Sequence, residues 1–267
     1  MNSTTKSKKK KWLLSSAAIV FWLGIWFLAA AAVDKELLLP SPAVVFLRLL
    51  KLVKTAAFWE KTIASLLRIT GGFLLGCLFG VLFAGLATLS AIADALITPL
   101  VRIVRSMPVA SFVILVMLFL NYSLVPVFIA SLMVMPVVYL NLKKGMEERS
   151  PELLEVSKVF GFRRFQTFRY LTVPSVRPYF ISGAVTALGL AWKSGIAAEV
   201  LCQPKNAIGG EIYYSRIYLE TPDLFAWTVV VVLFSLLLEK LLEFATKSKR
   251  KDSGENAEKT DRNGEKS

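Results

Sequence analysis

The chain has 267 residues, 55% of them apolar and only 19% charged, with a mean hydropathy of +0.58 and a net charge of +13. These values exclude an ordinary soluble domain and fit a chain whose solvent is largely lipid. They also exclude a nucleic-acid partner, because the lysines and arginines gather in two tails and one central loop, the distribution that sets membrane orientation.

Residues 1–11 form a basic tail containing Lys6, Lys8, Lys9, Lys10 and Lys11. The apolar run 12–33 that follows is longer than a signal-peptide core and is bulked by Trp12, Trp22 and Trp26, so it reads as an uncleaved first span despite the Ala29 to Ala32 run. Residues 34–61 are an extracytoplasmic amphipathic segment. Within it, Val44, Val45, Leu47, Leu49, Leu50, Leu52 and Val53 alternate with Arg48, Lys51 and Lys54 in a helix expected to lie on the outer surface.

Residues 62–245 hold the remaining spans. The second is 69–89, with 62–68 as its polar entrance, and the third and fourth are crowded between 96 and 140, divided near 121–123. Arg102, Arg105 and Pro108 interrupt the third, and 109–120 alone is too short to cross. A shallow helix bent at Pro108 into a membrane helix reconciles this. The fifth span is 179–201 and the sixth 224–244; residues 246–267 are polar throughout and are expected to be a disordered cytoplasmic tail. Gly72, Gly76, Gly80 and Ala84 in the second span, and Gly183, Ala187, Ala191 and Gly195 in the fifth, each share a helix face and predict close backbone packing.

With both termini cytoplasmic, the tails, Arg102, Arg105 and the loop bearing Lys143, Lys144, Arg149, Lys158, Arg163, Arg164, Arg169 and Arg177 lie inside. Only Lys35, Arg48, Lys51, Lys54, Lys61, Lys205 and Arg216 are then counted outside. The chain has no histidine, and its two cysteines, Cys77 and Cys202, are not in a CxxC pair. No metal, no cofactor and no catalysis are therefore expected.

The loop 141–178 is too long for a turn and too regular for disorder. Ser150, Pro151 and Glu152 read as a helix start, and Leu153, Leu154, Val156, Val159 and Phe160 give that helix an apolar side. Gly161 stops it in a left-handed turn. A second segment, 163–172, interleaves Phe165, Phe168 and Leu171 with arginines before Pro174 ends it.

Glu155-Val156-Ser157, Gly161, Leu171, Val173 and Pro174 keep every interval of the cytoplasmic signature of binding-protein-dependent ABC importer permeases: Glu-Ala-Ala, three residues, Gly, nine residues, Ile, one residue, Leu-Pro. Val156, Ser157, Leu171 and Val173 depart from it in identity. Leu39-Pro40-Ser41-Pro42, Ser65-Leu66-Leu67-Arg68, Arg105-Ser106-Met107-Pro108 and Ala198-Glu199-Val200-Leu201 resemble the nitrate, sulfonate and taurine branch, some of whose members carry vitamin precursors. The resemblance implies an all-α bundle of about six transmembrane helices of the type I importer kind, in a bacterial inner membrane, with 62–245 as the permease core. It implies a permease dimer, most simply a homodimer, an ATPase dimer docked on the loop 141–178, and an extracytoplasmic solute-binding protein. The solute would be small and anionic or polar.

No GxxxxGK[ST] phosphate loop is present, since Gly189 to Ser194 only mimics its end inside a span; energy must come from another subunit. Lys193 is the one clear charge within an apolar span, where burial costs about 2.5 kcal/mol or more. It must meet another helix, a dimer interface or the solute path. Glu199, near the outer end, is either a gate at the mouth or a solvated interfacial carboxylate, and snorkelling accounts for Arg68. A secondary transporter would call for more spans and mid-membrane carboxylates; that reading and an uncoupled channel or scaffold are the alternatives.

Overall fold

A run of about 20 apolar residues satisfies its backbone in lipid only as a helix, and helices joined by short turns and loops make up the described chain. The computed structural model describes residues 3–150, 152, 155, 157 and 159–264. In chain order the helices are α1 (Ser3–Val33), α2 (Pro42–Val53), α3 (Ala56–Leu89), α4 (Ala91–Ser106), α5 (Val109–Val116) and α6 (Val125–Glu147). After the loop come α7 (Arg164–Thr167), a π-helical turn (Phe168–Thr172), α8 (Val173–Cys202), α9 (Ile208–Ile217) and α10 (Thr221–Gly264).

Five of these segments are long and apolar enough to cross a membrane, and the pair α4 and α5, bent by 103° at its break, supplies a sixth if counted as one span. The bend falls at Met107 and Pro108, both extended, where the sequence predicts it. Proline lacks the N–H that would continue the ladder, so α5 starts afresh in a new direction.

Three expectations change in detail. The second span begins at Ala56, because Thr55 caps α3 through the Phe58 N–H at 3.3 Å; the polar entrance is continuous helix. Pro174 does not end the segment before it. The π turn shifts the register, so that the Val173 N–H bonds to the Phe168 carbonyl, and Pro174 falls in the first turn of α8, where no donor is missed. The backbone of α10 stays helical to Gly264, past residue 246, although nothing after Phe244 gives that extension an apolar face to bury.

At the centre α6 lies between α3 and α8. A Cβ at Gly76 would stand 2.6 Å from both the Ser131 carbonyl oxygen and Val134 Cβ, and one at Gly80 would stand 2.7 Å from Val138 Cβ. On the other side Gly183 faces Asn141, and Gly195 sits against Ile69 of α3. In lipid no hydrophobic drive gathers helices, so this backbone proximity and its dispersion contacts hold the bundle. The peripheral α1 keeps most of its surface exposed and is pinned near its C-terminal end, where Trp26 stacks on Phe225 at 5.8 Å and its Nε1 donates to the Pro40 carbonyl at 3.1 Å. The amphipathic α2 starts at Ser41, whose Oγ accepts from the Val44 N–H. An Arg48–Asp223 ion pair, with Nη2 to Oδ2 at 2.7 Å, ties it to α10.

Candidate functional site

The loop between α6 and α8 is fastened at its root. Gly145 leaves room for the ring of Tyr179, 2.7 Å from where a Cβ would be, and the Tyr179 hydroxyl donates to Glu148. That bond, helped by Lys144 at 3.6 Å, holds the Glu148 carboxyl below its ordinary range. Arg149 donates to the Met146 carbonyl at 2.9 Å and to Thr172 Oγ1 at 3.0 Å, joining the two ends of the loop.

Beyond the root, Glu152, Glu155, Ser157 and Val159 have helical backbone. Pro151, Leu153, Leu154, Val156 and Lys158 lie outside the described residues, so Val156 of the signature and the proposed start at Pro151 receive no structural account. Gly161 has φ +66°, and the Phe162 N–H reaches back to the Ser157 carbonyl at 2.9 Å. This is the six-to-one bond of a helix-stopping turn, and its left-handed residue favours glycine because a side chain strains that conformation. The Arg163 N–H then donates to Gln166 Oε1 at 2.8 Å, starting α7.

Ser157 is buried; Glu155, Gly161 and Pro174 are exposed, Val173 is nearly half exposed and Leu171 is intermediate. The knob also shows Val159, Phe160, Phe165, Phe168 and Tyr170 to solvent, with Phe160 at 73% and Phe165 at 72% exposure. Exposed charges, Glu155, Arg163 and Arg169, are interleaved with them. Exposed apolar side chains grouped among charges are the kind of surface through which proteins dock. The π turn sits between this knob and α8, where irregular helix commonly marks a functional joint.

Glu199 is not the solvated carboxylate of the second expectation. It is 0% exposed, and its carboxylate accepts from Ser65 Oγ at 2.7 Å, from the Gly209 N–H at 3.2 Å and from Arg68 Nη1 at 3.3 Å. Arg68 does not simply snorkel: it also donates to the carbonyls of Lys205 at 2.5 Å and Asn206 at 2.9 Å. Ser65 Oγ in turn accepts from the Ile208 N–H at 2.9 Å. The clamp joins α3, the C-terminal end of α8 and the start of α9. Its loop reverses through left-handed Gln203 and Asn206, and Gly209 fits because any Cβ there would collide with Glu199.

Lys193, by contrast, makes no ion pair among the described residues, and its side chain is exposed on α8. Pairing within the chain, one of the open readings, is therefore not found here.

One polar cluster was not anticipated. Asp94 in the first turn of α4 pairs with Lys143 of α6; Thr98 Oγ1 donates to Asp94 at 2.7 Å and lies 2.9 Å from the hydroxyl of the fully buried Tyr139. The network binds the bent pair to the helix that enters the loop. Its signal in the sequence was Asp94 four residues before Thr98, on one helix face.

A family model described as the binding-protein-dependent transport system inner membrane component matches residues 72–248. The putative aliphatic sulfonates transport permease protein SsuC of Bacillus subtilis is 24% identical over 231 residues, covering 86% of this chain and 82% of that one. The riboflavin transport system permease protein RibX of Chloroflexus aurantiacus is 27% identical over 213 residues, covering 77% and 79%. Among solved structures, a chain of a bacterial ABC transporter involved in the import of the acidic polysaccharide alginate superposes with a TM-score of 0.60 at 17% identity, over 91% of this chain and 98% of that one.

Proposed function

This chain belongs to the binding-protein-dependent inner membrane components, the permeases of ABC importers, and from that premise we propose that it couples a separate ATPase dimer to solute import through its loop knob. It is a transport subunit and not an enzyme. Glu155, Val156, Ser157, Gly161, Leu171, Val173 and Pro174 form or support the handle, and the exposed aromatics Phe160 and Phe165 seat it in a groove of the ATPase. The observation that carries the reading is this aromatic, charge-rimmed surface held on a rigid root and continuous with α8. When the motor closes, force on the knob passes through the π turn into α8 and tilts it against α6 and α3.

In this reading both termini face the cytoplasm, the permease works as a dimer of identical chains, and a solute-binding protein delivers cargo to the outer face. The Glu199–Arg68 clamp lies at that outer end and latches α9 in place. Lys193 lies on the passage. The sulfonate and riboflavin named for the two relatives are unlike in charge, so the choice of cargo falls to residues of this chain and to the delivering protein.

The test is co-purification of the ATPase with Gly161→Leu. Among the described residues no atom lies within 4 Å of a Cβ at Gly161, so within the chain the change acts through its backbone angle. A side chain at positive φ costs about 1–2 kcal/mol, enough to shift the turn without unfolding the spans. The protein should remain in the membrane and lose the ATPase; retained association removes the proposal.

A further inference from the structure

Residues exposed on the apolar helices of a membrane protein face lipid, a partner or a watery passage, and their chemistry tells these apart. On α3 the exposed side chains include Leu74, Leu78 and Leu82, and on α10 they include Val232, Leu233 and Leu236. Those faces are lipid-like. Buried on most of its circumference by α3, α5, α6, α9 and α10, α8 leaves only a narrow strip open. Beyond Tyr179 the exposed positions are Ser182, Thr186, Leu190, Lys193, Ala197 and Leu201. At 100° per residue these fall within about 100° of arc, one continuous stripe along the helix.

The stripe is not lipid-like. It carries two hydroxyls, a small residue and a lysine. The Thr186 hydroxyl is satisfied within the helix by the Ser182 carbonyl at 3.1 Å, so it can face a passage without demanding a fixed protein partner. Lys193 makes no ion pair within 4.0 Å among the described residues. An ammonium that the fold leaves open and unpaired on a membrane-spanning helix is satisfied by water and by whatever anion passes.

We infer that this stripe is one wall of the solute passage and that Lys193 is its anion-binding group, so that the cargo carries a carboxylate, sulfonate or similar negative head. This rests on the importer reading and deepens it by naming the solute class. In a dimer of identical chains the second copy adds another Lys193 to the same passage.

Cargo identity is not needed for the test. In full-length protein within its native complex, with Cys77→Ala and Cys202→Ala removing both buried thiols, Ala197→Cys places one thiol a turn, about 6 Å, outward of Lys193. The rates of modification by an anionic and by a cationic methanethiosulfonate are compared. A unit charge at that range in water, screened at physiological ionic strength, changes each rate about twofold, in opposite directions. The anionic-to-cationic ratio should therefore fall at least about fourfold with Lys193→Met and be restored by Lys193→Arg. An unchanged ratio overturns the anion site. A thiol at 197 as unreactive as one at the lipid-facing Leu82→Cys overturns the passage wall. Either failure leaves ATPase capture by the knob unaffected, so it is distinguishable from failure of the importer reading.

Discussion

Removing Arg68 isolates the energetics of the outer clamp. Arg68→Ala leaves the Glu199 carboxylate wholly buried with only Ser65 Oγ and the Gly209 N–H as donors. Breaking a buried pair from one side costs about 3–5 kcal/mol. The 3.3 Å separation and the 17% exposure of the Arg68 side chain put this case at the lower end, about 3 kcal/mol. Glu199→Ala is milder: Arg68 keeps the Lys205 and Asn206 carbonyls, and the immobile loss is the Gly209 N–H, about 2 kcal/mol. Glu199→Gln keeps an acceptor for Ser65 and costs about 1 kcal/mol. The double variant Arg68→Ala with Glu199→Ala should cost less than the sum of the singles by about 2 kcal/mol, because the second change removes the stranded charge. Thermal unfolding in detergent reads this out through a thiol-reactive dye that reaches the buried Cys77 only on unfolding, in a Cys202→Ala background. At about 2–4 °C per kcal/mol, Arg68→Ala should lower Tm by about 6–12 °C and Glu199→Gln by about 2–4 °C. Strictly additive shifts, or an Arg68→Ala shift no larger than that of Glu199→Gln, would refute the clamp.

Gly76→Leu should prevent assembly of the bundle, since its first side-chain atom already meets the α6 backbone at 2.6 Å, whereas Gly85→Leu, with no atom of the described residues within 4 Å of its Cβ, should behave as wild type. Folded yield by size-exclusion chromatography separates the two, and equal yields would remove the close α3–α6 contact. Asp94→Asn weakens the tie between α4 and α6 at Lys143. ATP hydrolysis by the assembled complex should persist while transport per ATP falls at least about twofold, and an unchanged transport-to-hydrolysis ratio would reduce the Asp94 cluster to a local staple.

Much of this fold was legible because lipid imposes one rule on every span. Apolar length located the spans, Pro108 located the bend, and the glycines at 72, 76 and 80 marked the face that meets α6. Capping was harder to read: Thr55 starts α3 well before its apolar run, and Pro174 passes as a helix breaker until the π turn shows how its missing N–H is absorbed. The knob was legible in outline from Gly161 and the interval to Pro174. The clamp was not, since Arg68 and Glu199 are 131 residues apart and nothing local in either span names the other. Lys193 was conspicuous in the sequence, yet its surroundings were decided by which face of α8 the neighbouring helices left open.

In the proposed function a separate nucleotide-hydrolysing subunit grips the knob. A photo-crosslinking residue in place of Phe165, 72% exposed, measures that contact directly in native membranes. One ATPase adduct is expected at position 165 and none from Leu82, exposed on α3. Absence of that adduct, with the protein correctly inserted, would contradict the proposed function.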